Sequence, residues 1–365
     1  MELMERAFAL EREGIDVVHL EIGEPDFAPP PAAVEACSAA LARGATHYTD
    51  SRGLPELREA IAADKSARTG TSVSPERVIV TSGTSPALWM VFRLLVAPGD
   101  EVLVPTPHYP CYPNFVRLCG GVPRFVRCDP ARGFEVDLDA ARAALTERTR
   151  AVVLGNPANP TGAVASRETL EALAGLGVPL VCDEIYDGLL HGGARVTSGL
   201  EVAPGAFVLD GFSKRYAMTG FRLGYAIVPE EQLRSLQILQ QNLFISASEF
   251  VQHAGIAALR EGAATVEAAR RSHAPRRRLL LEGLRQLGLT LPAEPAGAFY
   301  AFADARAFGS DSLALAGRLL EEAHVAVTPG IDFGAAGEGW LRFCYAVPEP
   351  RLRLGLERLG RVLAR

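Results

Sequence analysis

The fold is decided by the segment Ala206-Phe207-Val208-Leu209-Asp210-Gly211-Phe212-Ser213-Lys214. An apolar run of strand length ends at an acid, and a short turn then leads to Lys214. Working outward, runs of the same kind occur at residues 78–81, 101–104, 124–128, 151–154, 179–183 and 223–228, and helical patterns lie between several of them, as at 86–96 and 166–176. Near-continuous apolar strands that alternate with helices predict an α/β fold with a mostly parallel, seven-stranded sheet between helices.

The remainder of the chain has a different pattern. Residues 230–274 are typical of long helices with a break near 244–248, and a separate amphipathic helix is predicted at 276–287. Strands at 298–303 and 341–345 and a helix at 351–363 follow. We therefore expect a smaller α+β domain at 271–365, a large domain at 32–270, and an N-terminal arm at 1–31 that also contributes to the small domain.

Composition excludes several classes of protein. The formal charge of −6 argues against nucleic-acid binding, which needs a cationic face. The sequence has no run of uncharged apolar residues long enough to span a membrane, and its first residues do not resemble a signal peptide. The six cysteines form no C-x-x-C pair, so free thiols in a reducing cytoplasm are expected. The scattered histidines predict no metal site.

The loops after the predicted strands carry the candidate chemistry, because ligands of open α/β sheets bind beyond the carboxyl ends of the strands. Residues 82–86 form a small-residue turn that opens a helix, with Pro86 expected at the first helical position. The free N–H groups of Gly83, Thr84 and Ser85 would then bind an anion. The nucleotide-binding patterns G-x-x-x-x-G-K-[ST] and G-x-G-x-x-G are absent from the sequence.

Three further strand ends and loops carry reactive or polar groups. Two Asn-Pro pairs between Asn156 and Gly162 can present an amide into a cleft. Asp183 closes an apolar strand, where a buried carboxylate requires a cationic partner. Lys214 ends the opening segment, eight residues before Arg222. A lysine at a strand end beside a phosphate cradle is suited to holding a phosphorylated aldehyde as a Schiff base.

Lysine is rare in this chain, and that makes each one informative. Of 37 lysine and arginine residues, only Lys65 and Lys214 are lysines. Lys65 lies in a polar helical pattern, so we expect a solvated surface residue. The arginines at 270, 271 and 276–278 are likewise expected on a solvated helix face rather than at an anion site.

Taken together and in order, the motifs closely resemble those of fold-type I pyridoxal-phosphate enzymes, specifically the class I/II aminotransferases of the bacterial aspartate-aminotransferase-like subgroup. The resemblance covers nearly the whole chain and rests on Gly23-Glu24-Pro25-Asp26-Phe27, Tyr48 with Gly53-Leu54-Pro55-Glu56-Leu57-Arg58, the Asn-Pro loop, Asp183–Tyr186, Ser213-Lys214, Met218–Arg222 and Arg342. It implies pyridoxal 5′-phosphate as cofactor and a ping-pong transfer of the amino group from an L-amino acid to a 2-oxo acid, through aldimine, quinonoid and ketimine.

The resemblance also implies a role for each matching residue. Lys214 would form the Schiff base and carry the proton, Asp183 would pair with the pyridine nitrogen, and Asn159 and Tyr186 would bind the ring 3-oxygen. Tyr109 matches the aromatic that stacks on the ring, and Arg342 would grip the substrate carboxylate, with Gly23 offering backbone nearby. The phosphate would rest on Gly83, Thr84, Ser85, Ser213 and Arg222, and Tyr48 would reach it from a second subunit, so a homodimer with shared sites is expected.

Some positions depart from the family pattern. Gly211 stands where some relatives carry a phosphate-binding serine, so one contact is expected to be missing. His108 stands where many relatives have an aromatic, and Phe221 where tryptophan is commoner.

Two other classes of function stay open at this point. The same fold supports pyridoxal-phosphate lyases or synthases, which eliminate or close a ring. A regulator that uses the fold as a sensor would need a DNA-binding module, and the short stretch before Gly23 has no such pattern. Residues 242–246, Asn-Leu-Phe-Ile-Ser, are expected to face the partner's pocket without a cation, which favours a neutral, apolar or aromatic substrate over aspartate. Simple packing at the dimer interface is the equal alternative.

Overall fold

The computed structural model describes residues 2–364. Its strands are β1 Val18–His19, β2 Val78–Thr81, β3 Glu101–Thr106, β4 Val122–Asp129, β5 Glu135–Val136, β6 Thr149–Gly155, β7 Leu180–Asp183, β8 Phe207–Gly211, β9 Gly224–Ile227, β10 Tyr300–Asp304, β11 Val325–Ala326, β12 Thr328–Pro329 and β13 Trp340–Cys344. The predicted seven strands of the large sheet are all present.

The helices separate and cover these strands. They are α1 Glu2–Arg12, α2 Pro31–Ala42, α3 Pro55–Thr69, α4 Thr84–Leu95, α5 Cys111–Leu118, α6 Leu138–Ala143, α7 Arg167–Ala174, α8 Gly199–Val202, α9 Glu230–Leu243, α10 Glu249–Glu261, α11 Ala263–Gln286, α12 Ser312–Ala323 and α13 Glu349–Leu363. No helix in residues 2–364 is long and apolar enough to cross a membrane.

The large sheet has the strand order β2-β9-β8-β7-β6-β3-β4-β5. The pairs β4–β3, β3–β6, β6–β7 and β7–β8 are parallel, whereas β9 is antiparallel to both of its neighbours. Alternate side chains such as Ile79 and Val80 enter separate cores on the two faces. The carboxyl ends of β2, β6, β7 and β8 therefore lie at one edge, which brings their loops together.

A second, smaller group of strands has its own core. Strands β10, β13 and β12 form an antiparallel sheet, and β1 pairs with β11 in a parallel ribbon. Leu280, Leu319, Phe343 and Leu359 belong to one buried cluster beneath these strands. The N-terminal β1 thus joins the C-terminal part of the chain. The predicted boundary after residue 270 falls inside α11, so the division into domains stays a prediction.

Several predicted element boundaries were wrong. The sheet has an eighth strand, β5, which is only two residues long and too short to show a periodicity. Helix α4 begins at Thr84 rather than Pro86, since the first-turn N–H groups need no intrahelical partner and a proline fits there. Helix α11 continues through Pro275 instead of breaking there. Both of its halves bury side chains, including His273 and Leu280, and that packing outweighs the cost of an interior proline, about 3 kcal/mol.

The prediction that Lys65 is a solvated surface residue was also wrong. Lys65 has 0% of its surface exposed. Helix α3 buries Leu57, Ile61, Lys65 and Thr69, which follow one another at four-residue spacing along a single face. The apolar members of that stripe were visible in the sequence and place Lys65 on the inward side.

Candidate functional site

A cavity of about 350 Å³ lies at the edge of the large sheet where the strand-end loops meet. Most of the residues predicted for the site line it: Gly23, Thr84, Ser85, Tyr109, Asn159, Asp183, Tyr186, Ser213, Lys214, Arg222 and Arg342. Residues separated by more than 300 positions in the sequence are thus brought to one place by the sheet topology and by the contact with the smaller strands.

Asp183 ends β7 as a buried carboxylate without a cationic partner among residues 2–364. Its Oδ2 accepts a hydrogen bond from the hydroxyl of Tyr112 at 3.0 Å, and its Oδ1 accepts one from the N–H of Ile185 at 3.3 Å. Burial raises the pKa of Asp183 to about 6, against the lowering effect of these two bonds. Such a carboxylate can form a strong pair with a cation that enters the cavity.

Lys214 follows β8 and reaches the same cavity. Its Nζ donates to the carbonyl oxygen of Gly23 at 2.6 Å. Burial lowers the pKa of Lys214 to about 8, with Glu24 opposing the shift. A lysine with this pKa has a substantial neutral fraction near physiological pH and can act as a nucleophile and as a base.

The turn before α4 supplies part of an anion site. The N–H groups of Thr84 and Ser85 lie in the first turn of this 12-residue helix and have no intrahelical acceptor. The N–H of Gly83 instead donates to the carbonyl of Thr81 at 2.8 Å, which corrects the expectation that all three amides are free. A Cβ at Gly83 would lie 2.6 Å from Nη2 of Arg222, so this glycine lets the guanidinium approach the turn.

The position of Gly211 explains a departure from the family pattern. A Cβ at this position would lie 3.0 Å from both the Cα of Gly224 and the carbonyl oxygen of Leu223. Any side chain there would need the neighbouring strand to shift. On this side of the cavity, Ser213 and Arg222 are the groups that could contact a bound anion.

Arg342 on β13 is held in place from several directions. Its Nη1 donates to Oδ1 of Asn159 at 2.9 Å, and its Nη2 donates to the carbonyl of Glu21 at 2.5 Å and to Thr328 at 3.1 Å. The guanidinium carbon lies 4.3 Å from the centre of the Tyr300 ring. Its buried Nε has no acceptor within residues 2–364. A carboxylate in the cavity would satisfy that donor.

Two tyrosines of the cavity, Tyr300 and Tyr112, were not predicted from the sequence. The hydroxyls of Tyr300 and Tyr186 are 2.7 Å apart, and burial raises the pKa of Tyr300 to about 12, so both act as neutral hydrogen-bonding groups. Tyr112, the partner of Asp183, packs edge to face against Tyr109 at 5.4 Å between ring centres. The position of Tyr112, three residues after Tyr109, could have indicated that both face the same cavity. Tyr300 lies in a strand with only apolar neighbours, so no comparable indication was present in the sequence.

Tyr48 lies apart from the cavity, whereas the other predicted site residues line it or, like Gly83, lie in the turn beside it. Of the surface of Tyr48, 81% is exposed. Leu243, Phe244 and Ile245 are also exposed, at 45%, 36% and 43%. Such large apolar side chains in water favour an interface with another chain.

His108 takes no direct part in the group around Lys214. It is buried, stacks on Phe125 and lies next to Gly334. Burial lowers the pKa of His108, so it is neutral at physiological pH. The six cysteines are all free thiols.

The set of groups fits pyridoxal 5′-phosphate, the cofactor that the sequence motifs imply. The uncompensated carboxylate of Asp183 matches a protonated ring nitrogen, and the amine of Lys214 matches an aldehyde. The first-turn amides of α4 and the guanidinium of Arg222 match a phosphate. No group of histidine, cysteine or acidic side chains in residues 2–364 is arranged to hold a metal ion.

Comparison with known proteins gives the same picture. The family described as aminotransferase class I and II matches residues 15–359. The chain is 44% identical to the aspartate/prephenate aminotransferase of Thermus thermophilus, over 99% of this chain and 94% of that protein. It is 37% identical to the valine–pyruvate aminotransferase of Mycobacterium tuberculosis, over 99% of this chain and 94% of that protein. The solved aspartate aminotransferase from Thermus thermophilus with maleate has a TM-score of 0.94 at 43% identity, covering 99% of this chain and 95% of that one.

Proposed function

The chain belongs to the class I and II aminotransferases, which use pyridoxal 5′-phosphate, and from this premise we propose that the cavity around Lys214 transfers the amino group of a neutral, apolar or aromatic L-amino acid to a 2-oxo acid. The observation that carries the proposal is the presence, in one cavity, of a half-buried lysine of lowered pKa and a buried carboxylate that has no cationic partner in residues 2–364.

The cofactor, when bound, supplies an aldehyde for covalent attachment of the amino group and a ring that withdraws electrons from the substrate Cα. Asp183 holds the ring nitrogen in its protonated form, and Tyr112 keeps the Asp183 carboxylate oriented through the hydrogen bond to Oδ2. Asn159 and Tyr186 would donate to the ring 3-oxygen, and Tyr109 would cover the ring. The amides of Thr84 and Ser85, together with Ser213 and Arg222, would fix the phosphate.

Lys214 moves the proton. With the cofactor bound, Nζ would take the proton from the substrate Cα and deliver it to the aldehyde carbon of the cofactor. Its pKa of about 8 keeps the neutral form available, and the Gly23 carbonyl orients the group. Arg342 fixes the substrate carboxylate, and Asn159 and Thr328 hold the guanidinium in the required plane.

The cations of the cavity support the preference for a neutral substrate. Lys214, Arg222 and Arg342 are the lysine and arginine residues that line it in the described chain, and each has a role in the proposal. The segment 242–246, which we place near the partner's cavity, contributes no further cation. A second substrate carboxylate would be left without a partner, which is unfavourable in a closed cavity.

The relatives' names divide on this point. The Thermus thermophilus relative is named for aspartate and prephenate, whereas the Mycobacterium tuberculosis relative is named for valine and pyruvate. We favour a neutral substrate, as in the second name, because each of the three cations that line this cavity already has another role.

A homodimer with shared active sites is also part of the proposal. The exposed Tyr48 would complete the phosphate site of a second copy, and the apolar residues at 243–245 would be covered at the interface. The cytoplasm remains the expected location.

The test is a comparison of kcat/KM for phenylalanine, leucine and aspartate with a common 2-oxo acid acceptor. We expect phenylalanine or leucine to exceed aspartate by about tenfold or more, since an unpaired buried carboxylate is costly. Higher kcat/KM for aspartate would overturn the substrate proposal.

Analysis of the cofactor and the products in the same reactions distinguishes transamination from the alternative, a lyase or synthase reaction on this fold. Transamination converts the bound cofactor to its amine form, with loss of the visible absorption band, and yields one 2-oxo acid for each amino acid formed. Release of ammonia or a thiol in place of amino transfer would establish the alternative reaction.

A further inference from the structure

Lys65 is at the centre of a buried group of charges next to the cavity. Its Nζ lies 2.5 Å from Oε2 of Glu184, 3.2 Å from Oδ2 of Asp210 and 3.4 Å from Oδ2 of Asp187. Lys65 and the Glu184 side chain are both 0% exposed. Burial alone would lower the pKa of Lys65, but the three carboxylates raise it above its ordinary value, so the ammonium is charged.

Each of the three carboxylates lies at a strand end or in a loop that also carries a residue of the site. Glu184 follows Asp183, and Asp187 follows Tyr186. Asp210 lies in β8, four residues before Lys214. Lys65 therefore connects helix α3 to the ends of two adjacent strands, β7 and β8, immediately behind the residues that face the cofactor.

Further hydrogen bonds and ion pairs surround this contact. The other oxygen of Glu184 accepts from Ser198 at 2.9 Å and from the N–H of Gly199 at 2.8 Å. Arg68, one turn further along α3, contacts Asp187 and lies 3.2 Å from Asp210, whose Oδ2 also accepts from Tyr225 at 3.1 Å. The remaining charged groups of the network are Asp64 and Arg215, which pair with each other at 3.1 Å.

We propose that Lys65 is a positioning residue of the active site, whose ammonium holds the loop of Asp183 and Tyr186 in register with the loop of Lys214. It touches neither cofactor nor substrate and acts through Glu184, Asp187 and Asp210. This inference rests on the proposed roles of Asp183 and Lys214.

The geometry explains why lysine occurs here in a chain that otherwise uses arginine. An ammonium is a compact cation with three donors, and Nζ of Lys65 lies within hydrogen-bonding distance of three carboxylates. The guanidinium of arginine is planar and directs its donors in one plane, which suits a single carboxylate better. Arg68 takes the outer, partly accessible position of the same network, where 19% of its side chain is exposed.

The test compares Lys65→Met with the wild-type enzyme loaded with pyridoxal 5′-phosphate. Methionine keeps an unbranched side chain that is one atom shorter and removes the charge. We expect kcat to fall about 10- to 100-fold with KM changed less than about threefold, because small displacements of reacting groups are costly in rate. The visible circular dichroism of the bound cofactor, which reports its orientation, should change in the same variant.

Arg58→Met is the matched control. Arg58 is a buried cation on the same helix, but its guanidinium contacts the carbonyl of Pro75 and the side chain of Glu76, away from the cavity. Both variants are expected to lower Tm, whereas only Lys65→Met should change kcat and the circular dichroism. A lower Tm with unchanged kcat, or a lower kcat with unchanged circular dichroism, would overturn the positioning role.

A second variant covers the case in which Lys65→Met does not fold. Glu184→Gln keeps an oxygen for Ser198 and Gly199 and removes the charge nearest Lys65, while Asp187 and Asp210 remain. In Glu184→Gln, kcat and the circular dichroism should change in the same direction as expected for Lys65→Met, but by a smaller factor. Wild-type values of both in Glu184→Gln would also refute the proposal. Absence of transamination in the wild-type enzyme would instead contradict the proposed function, while the circular dichroism of the loaded variants would still report on Lys65.

Discussion

Lys214 and Lys65 are both withdrawn from water, yet their surroundings shift their pKa values in opposite directions. Around Lys214 the only hydrogen-bond partner in the described chain is the neutral carbonyl of Gly23, and burial lowers the pKa to about 8. Around Lys65 three carboxylates outweigh the burial and raise the pKa. A buried lysine is thus reactive where counter-charges are withheld and inert where they are supplied.

The acids of the two regions show the same difference. Asp183 and Glu184 are neighbours in the sequence and both are buried. Glu184 has Lys65 at 2.5 Å, whereas within residues 2–364 the hydrogen-bond partners of Asp183 are Tyr112 and a backbone N–H. Asp183 is consequently the carboxylate that is left available for a ligand.

The largest effect is expected for Lys214→Ala. This change removes both the attachment point of the cofactor and the proton carrier, so kcat should fall by about 10⁴-fold or more. Steady-state turnover and the absorption spectrum of the bound cofactor measure this. Retention of the wild-type absorption band would contradict the assignment of Lys214, and a Tm near that of the wild type would show that the fold is intact.

Asp183→Asn should have the next largest effect. The substitution removes the negative charge facing the ring nitrogen, and we expect kcat to fall about 100-fold. Tyr112→Phe is the matched control, because it removes the hydrogen bond to Oδ2 and keeps the charge of Asp183. Equal losses in the two variants would mean that the orientation of Asp183, and not its charge, is what matters.

Amine labelling compares the two lysines directly. In cofactor-free protein, an acylating reagent should modify Lys214 with a pH midpoint of about 8, because the neutral amine is the reactive form and its fraction rises with pH. Lys65 should react at least about 100-fold more slowly, since it is charged and has no exposed surface. Peptide mass spectrometry gives both rates in one sample, and unfolded protein, in which both lysines should react, is the control.

Tyr300→Phe should have the smallest effect. It removes the hydroxyl that lies 2.7 Å from the hydroxyl of Tyr186 and keeps the ring beneath Arg342. Loss of one such hydrogen bond corresponds to about 1 kcal/mol, or roughly a fivefold decrease in kcat/KM. A decrease as large as that of Asp183→Asn would give Tyr300 a direct part in the reaction.

Much of the fold could be predicted because strand-length apolar runs and helical periodicity are local properties of the sequence. All seven predicted strands of the large sheet are present, and the motif order gave the family correctly. The errors arose where a local pattern was too short, as at β5, or was outweighed by packing, as at Pro275 in α11.

The site residues also differ in whether their placement could be predicted from the sequence. Lys214, Asp183 and the turn before α4 follow strands, and their placement at one edge of the sheet follows from the parallel arrangement. Arg342 was assigned from a family motif, and Tyr300 was missed. Both lie on the small antiparallel sheet, whose position against the large sheet is not encoded in any local periodicity.

The sequence by itself determined the class of fold and the family, and it singled out the lysine that we propose carries the chemistry, because these depend on residue order and on residues whose chemistry cannot be replaced. Only the tertiary structure decided the surroundings of each charged group. Lys65 looked like a surface residue in its helix, and only the approach of β7 and β8 to α3 makes it the buried partner of Glu184, Asp187 and Asp210. The physical reason is that pKa and reactivity depend on desolvation and on charges within a few ångströms, and those neighbours lie more than 100 residues away in the chain.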